Sequence, residues 1–581
     1  MPDRASENRT SPATDFSIAL LNEFVRLGVR DVVVCPGARS QGLALAAAAL
    51  EQAGGIRLHV RTDERSAGFL SVGLALETTS PALVVVTSGT AVANLHPAVL
   101  EAHHAGVPMI VLTADRPAEL RGIRSNQTTV QSGLFGVATR LCLDVPAPVG
   151  EPDEAGIAVA LAGQAMDAAT GVFTAAPGPA QLNLAFREPL SAAQPAAAQP
   201  AGAQPVGLRV SPVVGDASVT AEPTDGPTML LAPGPRTVVV AGDGAGPAAE
   251  ELAHAGGWPL LAEVSSGARF GPNLIVHYRE LLGAVDLGGA VERVIVFGHP
   301  TLSREIPALI TREGVETIVV APTGAEWYNP GHAARGFTRS IGADAACAVA
   351  ARAPAAREWL GRWVMTSRAL AEAAADEGRA PIDKRGITRA EMAVMRAPLT
   401  RALLVDAVWR ASWPHDRLVL GASRLIREAD KRVPGKKITV LANRGLAGID
   451  GTIATALGVA LASQAEPDPR SVGVTRVLMG DLTFLHDVGS LLLAPDEPRP
   501  RLQVIIGVDG GGSIFDGLEV AATAPAEAMD RVLYTPRSVD LAALAAAYGW
   551  DYTLAATRSD LERALTSAPT GPAILEVPLV R

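Results

Sequence analysis

Two acidic, glycine-rich loops in the last third of the chain could hold a divalent metal against a diphosphate. Gly480-Asp-Leu482 directly follows an apolar run ending at Met479, and Asp509-Gly-Gly-Gly512 directly follows one ending at Val508. Asp481 and Asp509 are 28 residues apart, room for one strand–helix–strand crossover. Both loops then fall at the carboxyl ends of parallel strands, where open α/β sheets bind ligands. Carboxylates from both loops, with a free carbonyl, suit Mg²⁺, which keeps positions open for phosphate oxygens. The glycines let the backbone approach a diphosphate. Asp beside Gly is also ordinary turn chemistry, and taken alone each loop reads first as a turn.

The first third offers a second set. In Arg61-Thr-Asp-Glu-Arg-Ser-Ala-Gly68, Glu64 sits at a predicted helix start, where the helix dipole favours an acid. Thr87-Ser-Gly-Thr-Ala91 follows a strand and opens a helix, as a ligand-binding or a capping turn would. Arginines recur at strand ends: Arg39 in Pro36-Gly-Ala-Arg-Ser40, Arg116 in Ala114-Asp-Arg-Pro117 and Arg444 in Asn443-Arg-Gly445. Arg427, four residues after Ser423, shares a helix face with it. Such a set could clamp small carboxylates. Only four of the 50 basic residues are Lys, so Arg is the default cation here and most arginines are expected at the surface. Gly242-Asp-Gly-Ala-Gly246 follows a strand but has the spacing G-x-G-x-G, not the dinucleotide fingerprint G-x-G-x-x-G. His103-His104 lies in a predicted helix without metal-ligand spacing, and His486-Asp487 reads as a site lip or a helix start.

The elements that must position these residues alternate cleanly. Helical periodicity over 15–24, 43–50, 64–77 and 91–105 is interleaved with apolar runs at 31–35, 56–60, 83–86 and 109–112. A second block has strands at 237–241, 259–264, 293–297 and 317–321, followed by a charged helix near 357–377. A third has strands at 417–420, 438–441, 475–479, 502–508 and 573–577. Apolar strands between amphipathic helices predict parallel sheets covered on both faces, so the fold class is α/β with three parallel-sheet domains. The expected boundaries are 1–190, a linker rich in Ala and Pro over 191–230, a central domain over 231–355, a helical connection over 356–400 and a last domain over 401–581.

Length and composition agree. At roughly 150 residues per domain, 581 residues predict three or four domains. The chain is 48% hydrophobic and 19% charged, enough to build several cores, which excludes a wholly disordered or fibrous chain. A net charge of −10 without a basic block argues against nucleic acid as a partner. Cys35, Cys142 and Cys347 are far apart, which excludes a disulfide scaffold and a Cys-x-x-Cys metal site. No apolar run approaches the ~18 residues of a membrane span, and residues 1–13 lack the apolar core of a signal peptide. The expectation is a cytoplasmic protein.

Several stretches together resemble thiamine-diphosphate enzymes, and within them the MenD family of menaquinone biosynthesis. They are Pro36-Gly-Ala-Arg-Ser40, Thr62-Asp-Glu-Arg65, Thr87-Ser-Gly-Thr-Ala-Val-Ala-Asn94, Thr113-Ala-Asp-Arg-Pro117 and Asn126-Gln127 in the first domain. In the third they are Asn443-Arg-Gly-Leu-Ala-Gly-Ile-Asp-Gly451, Gly480-Asp-Leu-Thr-Phe-Leu-His-Asp487 and Gly511-Gly-Ser-Ile-Phe515. The resemblance implies decarboxylation of 2-oxoglutarate and addition of the product to isochorismate. It makes the first domain the pyrimidine-binding and the last the diphosphate-binding domain. Glu64 would be the catalytic carboxyl that hydrogen-bonds the aminopyrimidine N1′ of thiamine diphosphate, with Thr87, Ser88 and Gly89 beside it. Ile449 and Ile514 would support the cofactor, and Gly480 and Leu482 would line its diphosphate. Asp481, Asp509 and the Gly511 carbonyl would hold Mg²⁺, with Mn²⁺ able to replace it. Arg39, Ser40, Arg116, Gln127, Ser423, Arg427 and Arg444 would bind substrate carboxylates and hydroxyls. Phe515 and Leu518 would form an apolar wall, and Arg304 would contribute from the middle domain. The site would lie at a subunit interface, implying a homodimer or homotetramer.

The chain departs from the family pattern at three places. Val508-Asp509 stands where thiamine-diphosphate enzymes usually carry Asn-Asn, Ser513 where Gly or Gln is common, and Ala38 and Ala442 where hydroxyls often stand. Another thiamine-diphosphate 2-oxoacid decarboxylase or carboligase is the alternative within the class. A nicotinamide-dependent oxidoreductase built on Gly242–Gly246 and a catalytically silent binding protein are the alternatives outside it.

Overall fold

The structure, a computed structural model, describes residues 11–191, 228–376, 396–465 and 473–580. The linker expected over 191–230 and part of the helical connection lie almost wholly outside these. The described chain gathers into two compact units. Of the described residues, one comprises 11–191, 457–463 and 489–498; the other comprises 228–376, 396–456, 464–465, 473–488 and 499–580.

The first unit holds a six-stranded sheet of β1 (Asp31–Val34), β2 (Arg57–Val60), β3 (Ala82–Val86), β4 (Met109–Asp115), β5 (Leu141–Val145) and β6 (Pro179–Ala185). Its order is β2-β1-β3-β4-β6-β5 and every pairing is parallel. β1, β3, β4 and β6 are buried along their whole length, as strands covered on both faces must be. Helices Pro12–Arg26 and Glu154–Thr170 cover one face, where Phe16, Leu20, Phe24 and Leu161 pack on Val32, Leu83, Ile110 and Leu182. The helix expected over 91–105 is broken into Thr90–Asn94 and His96–Ala105, because Pro97 lacks the N–H that continuing the first turn requires.

The second unit holds two sheets of five and six strands. The five-stranded one comprises β8 (Thr237–Ala241), β9 (Leu260–Ala262), β10 (Arg293–Phe297), β11 (Glu316–Val320) and β12 (Gly336–Thr338), ordered β12-β11-β10-β8-β9. A short pair, β7 (Met229–Leu231) and β13 (Ile341–Ala343), lies apart from it in the hydrogen-bond pattern. Strand alternation is plain: Val238, Val240, Val294 and Val296 enter one core with Trp359 and Trp363, while Val239, Ala241, Ile295 and Phe297 enter another. The six-stranded sheet comprises β14 (Arg417–Leu420), β15 (Thr439–Leu441), β16 (Thr475–Gly480), β17 (Leu502–Val508), β18 (Asp551–Leu554) and β19 (Ala573–Pro578). Its order, β15-β14-β16-β17-β19-β18, reproduces that of the first sheet. In both sheets the winding reverses beside the third strand, and that switch point opens a crevice at the strands' carboxyl ends.

Candidate functional site

In the first unit the crevice loops follow β1, β2, β3 and β4. The loops after β1 and β3 touch: a Cβ on Gly37 would lie 2.2 Å from Thr87 Cβ. Glu64 is the first residue of helix Glu64–Thr78, capped by Asp63, whose Oδ1 accepts from the Arg65 amide at 2.9 Å. Half-buried Glu64 accepts one long bond, 3.5 Å, from Asn94 Nδ2. Beneath it Cys35 is buried; burial, then the charges of Glu64 and Asp63, push its thiol up to about 12, so it stays neutral.

Arg116 and Gln127 brace the loop after β3. Arg116 Nη1 donates to Ser88 Oγ (2.5 Å) and to the Gln127 carbonyl (2.6 Å), and Gln127 Nε2 donates to the Ser88 carbonyl (2.9 Å). The Gly89 amide donates to Gln131 Oε1 at 2.8 Å. Arg39 donates to the Phe186 carbonyl at 3.0 Å, and burial, then repulsion from Arg116, hold it below its usual pKa. Two guanidinium groups that repel each other favour an anion beside them. Ser40 is fully buried and donates to the Gly37 carbonyl at 3.2 Å, so its hydroxyl shapes the loop.

In the second unit the two acidic loops interlock. Asp481 opens a short helix after β16, and its Oδ2 accepts from the Gly511 amide at 2.9 Å and the Gly510 amide at 3.2 Å. Its Oδ1 accepts from the Leu482 amide at 2.8 Å. Burial, then the charge of Asp509, raise its pKa against these amides. Asp509 Oδ2 accepts from Arg401 Nε at 2.9 Å and from Ser513 Oγ at 2.5 Å. Gly510 and Gly511 take φ +82° and +115°, and a Cβ on Gly511 would lie 2.1 Å from the Tyr534 carbonyl oxygen. The loop is thus a tight cradle with two hard-oxygen side chains at its rim, which fits a hexacoordinate cation carrying phosphate.

Beside it lies a buried charged cluster. Arg444 Nε and Nη2 donate to Thr301 Oγ1 at 2.8 and 2.6 Å, while its Nη1 and Asn443 Oδ1 are buried without a partner. Ser423 caps helix Arg424–Arg432, accepting from the Leu425 amide at 3.2 Å, and Arg427 Nη1 donates to the Ser423 carbonyl at 3.2 Å. Burial, then the Arg444 charge, lower the Arg427 pKa. Glu263 accepts from the amides of Thr301 (3.0 Å) and Leu302 (2.7 Å) and so fixes the residue that holds Arg444. Arg304, expected to contribute from the middle domain, is 75% exposed and 3.6 Å from Glu519.

Burial, then the Asp430 charge, push the Glu263 carboxyl from its ordinary 4.5 up to about 8. A raised acid contributes stability below its unfolded pKa, and that stability is lost as pH rises through the folded one. Glu263→Gln is therefore expected to flatten the fall in melting temperature between pH 5 and 8, roughly the window between the two pKa values. Parallel melting curves for both proteins across that range would rule this out.

Ile449 is 39% exposed on the turn before helix Thr452–Ser463. Ile514, Phe515 and Leu518 are half-buried on and just after the turn Ser513–Gly517, which Arg424 pins by donating to Asp516 Oδ2 at 2.5 Å. Asp487, ambiguous from sequence, is a cap: its Oδ2 accepts from the amides of Ile453 (2.7 Å) and Ala454 (3.0 Å). The Gly242–Gly246 loop pairs with its neighbour, the amides of Asp243 and His299 each donating to the other's carbonyl at 3.1 and 2.8 Å, and a Cβ on Gly242 would lie 2.1 Å from the Pro300 nitrogen. Arg401, Glu263, Gln131 and Arg424 were not singled out in the sequence. Each works through a partner dozens of residues away, and none lies in a motif.

Comparison with known proteins shows the family. A family profile described as "Thiamine pyrophosphate enzyme, N-terminal TPP binding domain" matches residues 15–136. A protein of Leifsonia xyli named 2-succinyl-5-enolpyruvyl-6-hydroxy-3-cyclohexene-1-carboxylate synthase is 56% identical over 98% of this chain and 97% of its own. Proteins of the same name from Clavibacter michiganensis and Kineococcus radiotolerans are 55% and 42% identical. They match over 100% and 98% of this chain and 98% and 96% of their own.

Proposed function

The chain belongs to the family of 2-succinyl-5-enolpyruvyl-6-hydroxy-3-cyclohexene-1-carboxylate synthases, thiamine-diphosphate enzymes of menaquinone biosynthesis, and from that premise we propose how its residues act. It decarboxylates 2-oxoglutarate and joins the remaining succinyl-semialdehyde unit to isochorismate, as a transferase that forms a carbon–carbon bond. The observation that carries this reading is the pair of interlocked acidic loops after β16 and β17.

Bound thiamine diphosphate supplies the electron sink that takes up the charge left when a 2-oxo acid loses carbon dioxide. Asp481, Asp509 and the Gly511 carbonyl would hold Mg²⁺ for the diphosphate. Glu64 would share a proton with the aminopyrimidine N1′. Ile449 and Ile514 would support the cofactor, and Phe515 and Leu518 would keep water from the site. Arg427 and Arg444, and Arg39 and Arg116 in the first unit, match the carboxylates of two dianionic substrates. Two copies pair so that the Glu64 loop of one faces the metal loops of the other. Three cysteines, all buried and unpaired, suit a protein of the reducing cytoplasm.

Gly511→Ala tests the cradle. Its strained φ and the clash with Tyr534 cost about 1–3 kcal/mol, so Mg²⁺–thiamine diphosphate is expected to bind roughly ten- to a hundred-fold more weakly by calorimetry. Unchanged affinity would remove the cradle from the reading. The reaction itself is tested by 2-oxoglutarate loss with thiamine diphosphate and Mg²⁺. Consumption that requires isochorismate supports the proposal, and consumption indifferent to isochorismate points to a simple decarboxylase.

A further inference from the structure

We propose that Arg401 is the charge partner that makes an aspartate workable at position 509, cancelling a negative charge that would otherwise repel the cofactor's diphosphate. This rests on reading Asp481 and Asp509 as the metal ligands. With two carboxylates at the cradle, the site carries one more negative charge than the Asp-and-Asn set that the resemblance leads one to expect. Arg401 returns it to a single net charge.

Three observations support the pairing. Arg401 Nε lies 2.9 Å and Nη2 2.8 Å from Asp509 Oδ2, with side chains only 12% and 9% exposed, so the pair is little screened. Arg401 is the first residue of helix Arg401–Ala411, capped by Thr400, where the dipole disfavours a cation. The helix therefore gives no reason for an Arg there, whereas Asp509 does. Ser513, the other departure in this loop, donates to the same Oδ2 at 2.5 Å. Both contacts use Oδ2, which leaves Oδ1 for a cation. Arg401 is thus a positioning and charge-balancing residue, one side chain removed from the metal.

The test is a charge cycle read by binding. Thiamine diphosphate is titrated by calorimetry at saturating Mg²⁺ into the wild-type protein, Arg401→Gln, Asp509→Asn and the double variant. Arg401→Gln is expected to weaken binding about tenfold, the scale of a partly screened charge contact, and the double variant to recover to within about threefold of wild type. A merely structural Arg401 would show no such rescue, so a double variant no better than Arg401→Gln overturns the proposal. Arg401→Lys keeps the charge and is expected to bind like wild type. It decides the point if Arg401→Gln fails to fold, since a tenfold loss in Arg401→Lys would also overturn the charge argument. Asp481→Asn separates the two levels. If its cofactor binding keeps an undiminished Mg²⁺ dependence, the metal reading fails and the proposal with it. If that dependence is lost while the cycle is additive, the metal reading stands and Arg401 alone is refuted.

Discussion

Glu64→Gln is expected to keep thiamine diphosphate binding within a few-fold while turnover of 2-oxoglutarate with isochorismate falls by about 10²–10⁴ or more. The argument is one of proton chemistry. A carboxyl group can share a proton with a ring nitrogen, and an amide of the same size cannot. The fold tolerates the exchange, because Glu64 makes one long bond to Asn94 and stands outside the hydrophobic core. Losing a negative charge in the first turn of its helix costs about 0.3–1 kcal/mol, too little to unfold the unit. Calorimetry for binding and loss of 2-oxoglutarate for turnover separate the two effects. Turnover near the wild-type rate would refute the role of Glu64, and loss of both would mean that the loop itself had collapsed.

The second large effect is on stability. Asp430 is fully buried and gathers four partners: the Val264 amide at 2.7 Å, Tyr278 OH at 2.7 Å, Arg279 Nη2 at 2.5 Å and Arg269 Nη1 at 3.6 Å. Arg269 is itself buried; its other donors go to the carbonyls of Ala262, Asp430 and Val433. Asp430→Ala leaves two guanidinium groups without their carboxylate, and breaking such a buried set costs about 3–5 kcal/mol. A clear fall in melting temperature is expected for Asp430→Ala, and a smaller one for Asp430→Asn, which can still accept from Val264 and Tyr278. Melting temperature is the proper readout, since a chain of two units need not unfold in one step. Equal melting of Asp430→Ala and wild type would show that the cluster contributes nothing to stability. Because Glu263 and Arg427 border this cluster, its loss is also expected to disturb the arginines proposed to bind substrate.

The fold was legible where one strand and one helix sufficed to specify it. The unbroken apolar stretches 83–86, 294–297 and 504–508 fall in central strands, because continuous apolar sequence cannot sit at a surface. β6 was missed for the opposite reason. Gln181 and Asn183 interrupt its apolar run, yet both are fully buried. Gln181 Nε2 donates to Thr113 Oγ1 at 3.1 Å, and Asn183 Nδ2 to Asp115 Oδ2 at 3.0 Å, partners supplied by the neighbouring strand. β18, four residues at the sheet edge with an exposed burial pattern, carries too little apolar signal to be seen.

By itself the sequence placed the candidate groups at the strand ends: Glu64 opening its helix, and Asp481 and Asp509 on glycine-rich turns after apolar strands. These are local facts, since a strand, a turn and a cap are written in a few adjacent residues. Tertiary structure alone decided which charges those groups face. Arg401 reaches Asp509 across 108 residues, and Arg444 reaches Thr301 across 143. In a chain whose cations are nearly all Arg, no single one stands out until the crossovers bring it to its partner. Burial then turns that contact from a solvated charge into one that shapes the site.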